Sequence, residues 1–181
     1  MNDKTLRINA VKRVIGTLFC VIGIKKLQVS HSDFTTMEDG NNRIYQALKN
    51  IGITIIFSPK DFRYRYATLE SWEKMIKVVN GIVKHFKWIA EYFDCDNRSD
   101  LVSALVSLFF EINTCNKLHC NVYDAKSGKF LYGHWLNMFV PIDGSVYIWD
   151  VDNKGMHQKI TSSSSIMGEL KYDDFKQVIL N

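Results

Sequence analysis

Proline is almost missing from this chain, with two in 181 residues, and glycine is held to ten. That excludes a long Pro- or Gly-rich linker and collagen-like or low-complexity character. No apolar run is long enough to span a bilayer. The longest, Val14 to Ile24, is interrupted by Thr17 and two glycines. Lys12 and Arg13 ahead of it imitate the charged start of a secretory leader, but Lys25 and Lys26 follow where small residues and a cleavage site belong. A core element is expected there, with no signal peptide. Charge of one sign is also scarce. The net charge is +4 with the lysines scattered, so neither a nucleic-acid site nor a membrane span is called for. The four cysteines, Cys20, Cys95, Cys115 and Cys120, lack the paired spacing of a zinc site. Free thiols in a reducing compartment are the expectation, with no cofactor and no metal.

What is present is an ordinary apolar content of 46% and abundant aromatics at 13%, enough for one well-packed domain. The stretch 4–28 is a basic-flanked apolar element, either a helix or two short strands broken near Gly16 and Gly23. Arg43 to Asn50 reads as a helix, Gly52 as its cap, and Ile53 to Phe57 as a strand. In Asp61-Phe62-Arg63-Tyr64-Arg65-Tyr66 the aromatics alternate with the arginines. An edge strand with Phe62, Tyr64 and Tyr66 packed inward is expected.

Thr68 opens the strongest helix signal, with Glu70 and Glu73 in the first turn. Its apolar stripe runs from Leu69 through Trp72, Met75, Ile76, Val79, Ile82, Val83, Phe86 and Ile89 to Phe93. A second helix, about Arg98 to Glu111, is apolar around most of its circumference and should be buried nearly all round. Three strands follow, 118–124, 129–140 and 146–152, joined by turns at 125–128 and 142–144. The serines 162–165 read as a loop, and Tyr172-Asp173-Asp174-Phe175 as the start of a last short helix.

The chemistry-bearing stretch is Asp94-Cys95-Asp96-Asn97-Arg98-Ser99-Asp100 at the head of that second helix. A helix N-terminus favours a thiolate, although the flanking aspartates oppose one. A cysteine nucleophile needs an imidazole within reach and a carboxylate to orient it. His134 lies mid-strand after Gly133, and Asp150 and Asp152 lie on the next strand. With Ile142-Asp143-Gly144 as a three-residue loop, Pro141 pairs with Ser145, His134 faces Asp152, and Asp150 is its diagonal neighbour. A two-residue loop would send both aspartates to the other face. Four carboxylates, Asp94, Asp96, Asp150 and Asp152, also admit a weaker reading as a calcium or manganese site, which no loop spacing supports.

Asp94-Cys95-Asp96, His134-Trp135-Leu136-Asn137-Met138-Phe139-Val140 and Tyr147-Ile148-Trp149-Asp150 together resemble the transglutaminase-like branch of the papain-like cysteine protease superfamily. The Asp-Cys-Asp block after Tyr92-Phe93 is similar to small phage and bacterial proteins that resemble the cysteine-protease domain closing certain fungal agglutinins. The likeness covers residues 61–152. It implies an α+β, papain/transglutaminase-like fold, with a buried central helix carrying the cysteine packed on an antiparallel sheet. Residues 61–181 would form that core and 1–60 an N-terminal helix and strand extension of the same domain. It further implies Cys95 as nucleophile, His134 as base and Asp150 as orienting carboxylate in a cysteine peptidase, amidase or transglutaminase-like acyl-transfer enzyme. The substrate would be a polypeptide or cell-wall peptide. Tyr92, Tyr66 and Gln46 are candidate oxyanion donors. The setting expected is cytoplasmic or phage- and virion-associated. The alternative is a catalytically weak or inactive scaffold that serves as a binding or structural protein.

Overall fold

Alternating side chains and tight polar turns make the second half of the chain a sheet. In the computed structural model the described residues are 36–39, 42–53 and 63–179, all within one compact unit, Phe34–Asn181. The element expected at 4–28, the strand expected at 53–57 beyond its first residue, and Phe62 lie outside the described residues. A two-stranded antiparallel pair joins β1 (Thr36–Asp39) to β2 (Tyr64–Ala67). Between them in sequence lies α1 (Asn42–Asn50). Tyr64 and Tyr66 are fully buried, while Arg65 between them forms an ion pair with Glu111 at 2.8 Å. Aromatic-in, arginine-out alternation is therefore a packing pattern here.

The main sheet is antiparallel and six-stranded, in the order β6-β5-β4-β3-β8-β7. Its strands are β3 (Cys115–Asp124), β4 (Phe130–Phe139), β5 (Val146–Asp150), β6 (Met156–Ile160), β7 (Ser165–Met167) and β8 (Leu170–Ile179). The β3–β4 turn is held by Asp124, whose Oδ1 accepts from the Ser127 amide and hydroxyl. At the β4–β5 turn Asp143 does the same for Ser145, and Gly144 takes φ 79°. That turn sets the register: Phe139 faces Tyr147 and Asn137 faces Trp149, the frame in which Pro141 meets Ser145.

Two helices lie on one face. In α2 (Leu69–Val83) the Thr68 Oγ1 caps the start by accepting from the Ser71 amide, and Trp72 stacks on Phe139 at 4.4 Å. From α3 (Cys95–Phe110), the Ser99 carbonyl and Ser103 hydroxyl accept from Asn137 Nδ2. The alternate residues of β4, Leu136 and Met138, belong to the other face and share a core with Ile44, Leu48, Tyr64 and Tyr66. Arg43 ties that side together by donating to the Ile142 carbonyl at 2.9 Å.

Three expectations are corrected. The papain/transglutaminase-like α+β fold with a buried central helix is not what forms. The unit is mostly antiparallel sheet, and α3 lies against one face, with Leu108 67% exposed at its outer side. The first long helix stops at Val83, ten residues before its apolar stripe ends, because the chain turns back on itself where Ile89 and Phe93 exchange backbone bonds around a left-handed Glu91. The final helix is instead strand β8. Asp174 takes φ 57° and forms a bulge opposite Cys120, which lets β8 follow β3 along its length.

Candidate functional site

The β4–β5 ladder stops at Asn137↔Trp149, and the first turn of α3 approaches where it ends. Beyond that point the two strands are joined by side chains. His134 Nε2 lies 3.0 Å from Asp150 Oδ2, with both residues at least 95% buried. Asp150 accepts a second bond on Oδ2 from the Tyr172 hydroxyl at 2.7 Å. Its Oδ1 accepts from the amides of Asp152 and Asn153. Each carboxylate oxygen is therefore satisfied twice, which holds the ionised form against the cost of burial.

The electrostatics follow from these contacts. Burial alone would push His134 down, but hydrogen bonds to Asp150 and Cys95, with the charge of the carboxylate, raise it to about 10. Burial likewise pushes Asp150 up and is overcome by His134, Tyr172 and the backbone amides, so its carboxyl sits below the usual range. At neutral pH the pair is imidazolium and carboxylate. Because Nε2 is committed to Asp150, the other ring nitrogen is the one open to the Cys95 thiol. Cys95 is half-buried at the first position of α3, in the same neighbourhood as Cys120, which faces His134 across the β3–β4 ladder.

Among the residues singled out from the sequence, Cys95, His134 and Asp150 are brought together. Asp152 is not part of the set. It turns to Arg98, with Oδ1 2.5 Å from Nε. Asp94 and Asp96 stay at the start of α3 and hydrogen-bond each other, one carboxyl raised and the other lowered by the sharing. The proposed oxyanion donors are dispersed. Tyr66 is buried on β2, Gln46 is on the exposed side of α1, and Tyr92 is 82% exposed in the loop before Cys95. A cation does not fit the His134, Asp150 and Asp152 group, which lies within 4.8 Å, because hydrogen-bond donors occupy Asp150 and a guanidinium occupies Asp152. Sequence reasoning missed Tyr172, Arg98 and Asn153, whose Nδ2 donates to the Tyr172 hydroxyl. Only a strand reading of 170–179 could have put Tyr172 on the correct face.

Tyr132, 45% exposed, sets its ring edge-on to His134 at 5.8 Å. Trp88 at 51% and Ile89 at 49% share the 84–93 loop with Tyr92. No helix among the described residues is long and apolar enough to cross a membrane.

No protein-family profile and no curated protein matches the chain. Solved structures do. One is described as "PSL1a-E64 complex", with TM-score 0.46 and 16% identity, covering 67% of this chain and 46% of the other. Another is Polyporus squamosus lectin bound to the human-type influenza-binding epitope Neu5Aca2-6Galb1-4GlcNAc, with TM-score 0.47 and 15% identity, covering 67% of this chain and 45% of the other. The chain thus spans less than half the length of these structures. No profile and no curated relative supports the family read from the sequence. One of the two structures is described as a lectin, and the other only as a complex with E64. The superfamily assignment, the cysteine peptidase, amidase or transglutaminase-like activity and the peptide substrate are withdrawn.

Proposed function

We propose that this chain is a ligand-binding protein and that Cys95, His134 and Asp150 form the polar floor of its site. The observation that supports this is a buried His134 held by Asp150, with the exposed Tyr132 ring beside it. A small group of fixed polar side chains rimmed by apolar surface is the usual make-up of a ligand site. Both His134 ring nitrogens are committed, to Asp150 and Cys95. The half-buried Cys95 thiol offers a hydrogen bond to a hydroxyl or carbonyl oxygen, and Tyr132 offers a flat face to stack on. A carbohydrate combines both chemistries, with hydroxyl edges and apolar ring faces. A reducing setting, cytoplasmic or within a virion, would keep the free thiols of Cys95, Cys115 and Cys120 intact.

The test is a glycan array followed by titration calorimetry on the full chain, with His134→Gln and Tyr132→Ala as variants. Saturable binding of a glycan, weakened about tenfold or more by either substitution, is the expected result. Absence of any glycan ligand overturns the carbohydrate reading. Turnover of an amide or peptide substrate, abolished by Cys95→Ala, overturns the binding reading altogether.

A further inference from the structure

A concentration of cationic side chains lies beside the first turn of α3. A groove of about 450 Å³ is lined by Lys77, Asn80, Gly81, Lys84, Arg98, Val151, Lys154 and Gly155. Four of these residues are cations, and no acidic side chain lines the groove. Arg98 is buried and answered by Asp152. Lys77, Lys84 and Lys154 have no acidic partner among the described residues, in contrast to Lys74 nearby on α2, which pairs with Glu70 at 3.1 Å.

The placement is built into the backbone. Positions 77, 80, 81 and the C-cap 84 follow one stripe of α2 by the helical repeat, so Lys77 and Lys84 both line the groove. The opposite wall is the turn after β5, where Lys154 takes φ 56° and Gly155 φ 66°. Left-handed backbone at a lysine is uncommon, and a local anchor must hold it. Asn80 is that anchor, donating from Nδ2 to the Gly155 carbonyl and accepting at Oδ1 from Trp149 Nε1, both at 3.0 Å. Only glycine fits at 155, since a Cβ there would lie 2.2 Å from Asn80 Nδ2. The fold thereby fixes a third lysine opposite two others. Like charges held together cost stability unless a counter-charge arrives.

We propose that this groove binds a small multivalent oxyanion, a phosphate or sulfate ester group, through Lys77, Lys84 and Lys154. Lysines on two facing walls suit a compact anion with several acceptor oxygens. These cations are confined to this one groove, whereas a polyanionic strand would need an extended basic track. This site adjoins the ligand site around His134 through Arg98, and its three lysines are not part of that site.

The test is titration of the full chain with inorganic phosphate and, separately, inorganic sulfate at low ionic strength. Saturable binding of either ion at one site is expected, weakened about tenfold or more in Lys84→Gln and in Lys154→Gln and reduced by added salt. Lys74→Gln and Tyr132→Ala leave it unchanged. Preference for one ion over the other identifies which ester is taken. Lack of saturation, or equal binding by the triple glutamine variant at 77, 84 and 154, overturns the site. Binding of short duplex DNA that tightens with duplex length would also overturn it, because the ligand would then be a nucleic-acid backbone.

Discussion

His134 and Asp150 show how two buried ionisable groups make each other tolerable. Raising the imidazole to about 10 means that the folded state holds a proton the unfolded chain releases near its ordinary value of 6.5. The stabilisation from His134 is complete below about 6.5 and disappears as pH rises through 10. Asp150 works in the opposite direction, since its lowered carboxyl contributes above the ordinary value of 3.8 and is lost as acid protonates it. Denaturant midpoints measured from pH 6 to 10.5 should therefore fall steadily for the native chain. In His134→Gln the slope attributable to this window should vanish. The same cluster orders the thiols. Burial pushes Cys115 up to about 12 and raises Cys120 further, whereas Cys95 reaches solvent. Iodoacetamide at pH 7 should label Cys95 in the native protein and leave Cys115 and Cys120 intact, as peptide mapping would show. The proximity of His134 and Asp150 was legible in the sequence because turn length fixes strand register, and Cys95 stood out by its place at a helix start. Tyr172 and Arg98 were not, because each reaches the site from an element whose approach no local pattern encodes.

At the scale of elements, legibility tracks how local the cause is. The start of α2 could be read because Thr68 and the spacing of Trp72, Met75 and Val79 agree. Its end could not, since Phe86, Ile89 and Phe93 keep helical spacing while the chain leaves the helix. Leu105, Leu108 and Phe109 gave α3 the pattern of a buried rod, yet tertiary packing uses one face and leaves Leu108 in solvent. For β8, Asp173 and Asp174 imitate a helix start, and the left-handed Asp174 shows their actual use in a bulge. Asn80 joins two elements and predicts the largest local effect of a polar substitution. Asn80→Ala removes the acceptor of Trp149 Nε1 and the donor to Gly155, leaving the buried Trp149 indole and the half-buried Gly155 carbonyl unmatched. A loss of about 1–3 kcal/mol is expected in chemical denaturation. Hydrogen exchange should quicken first in the turn 151–155.

For the whole molecule, the central contact is between helix and sheet. Phe139 stacks on Trp72 at 4.4 Å and on Tyr147 at 5.0 Å, joining α2, β4 and β5. Truncation by Phe139→Ala should cost about 3–5 kcal/mol, seen as a large drop in denaturant midpoint with an unchanged cooperative transition. The order of strands in space departs from their order in the chain, because β8 lies against β3 in the interior of the sheet, between β3 and β7. Tyr172 on β8 is also the residue whose hydroxyl reaches Asp150. On the ribosome, then, Cys95, His134 and Asp150 are all translated before the strand that completes them. While β8 is still in the exit tunnel, the open side of β3 is an unprotected edge and Asp150 lacks one of its donors. The site has a birth order, and a nascent chain paused after β7 would hold its cysteine, histidine and aspartate without the finished arrangement.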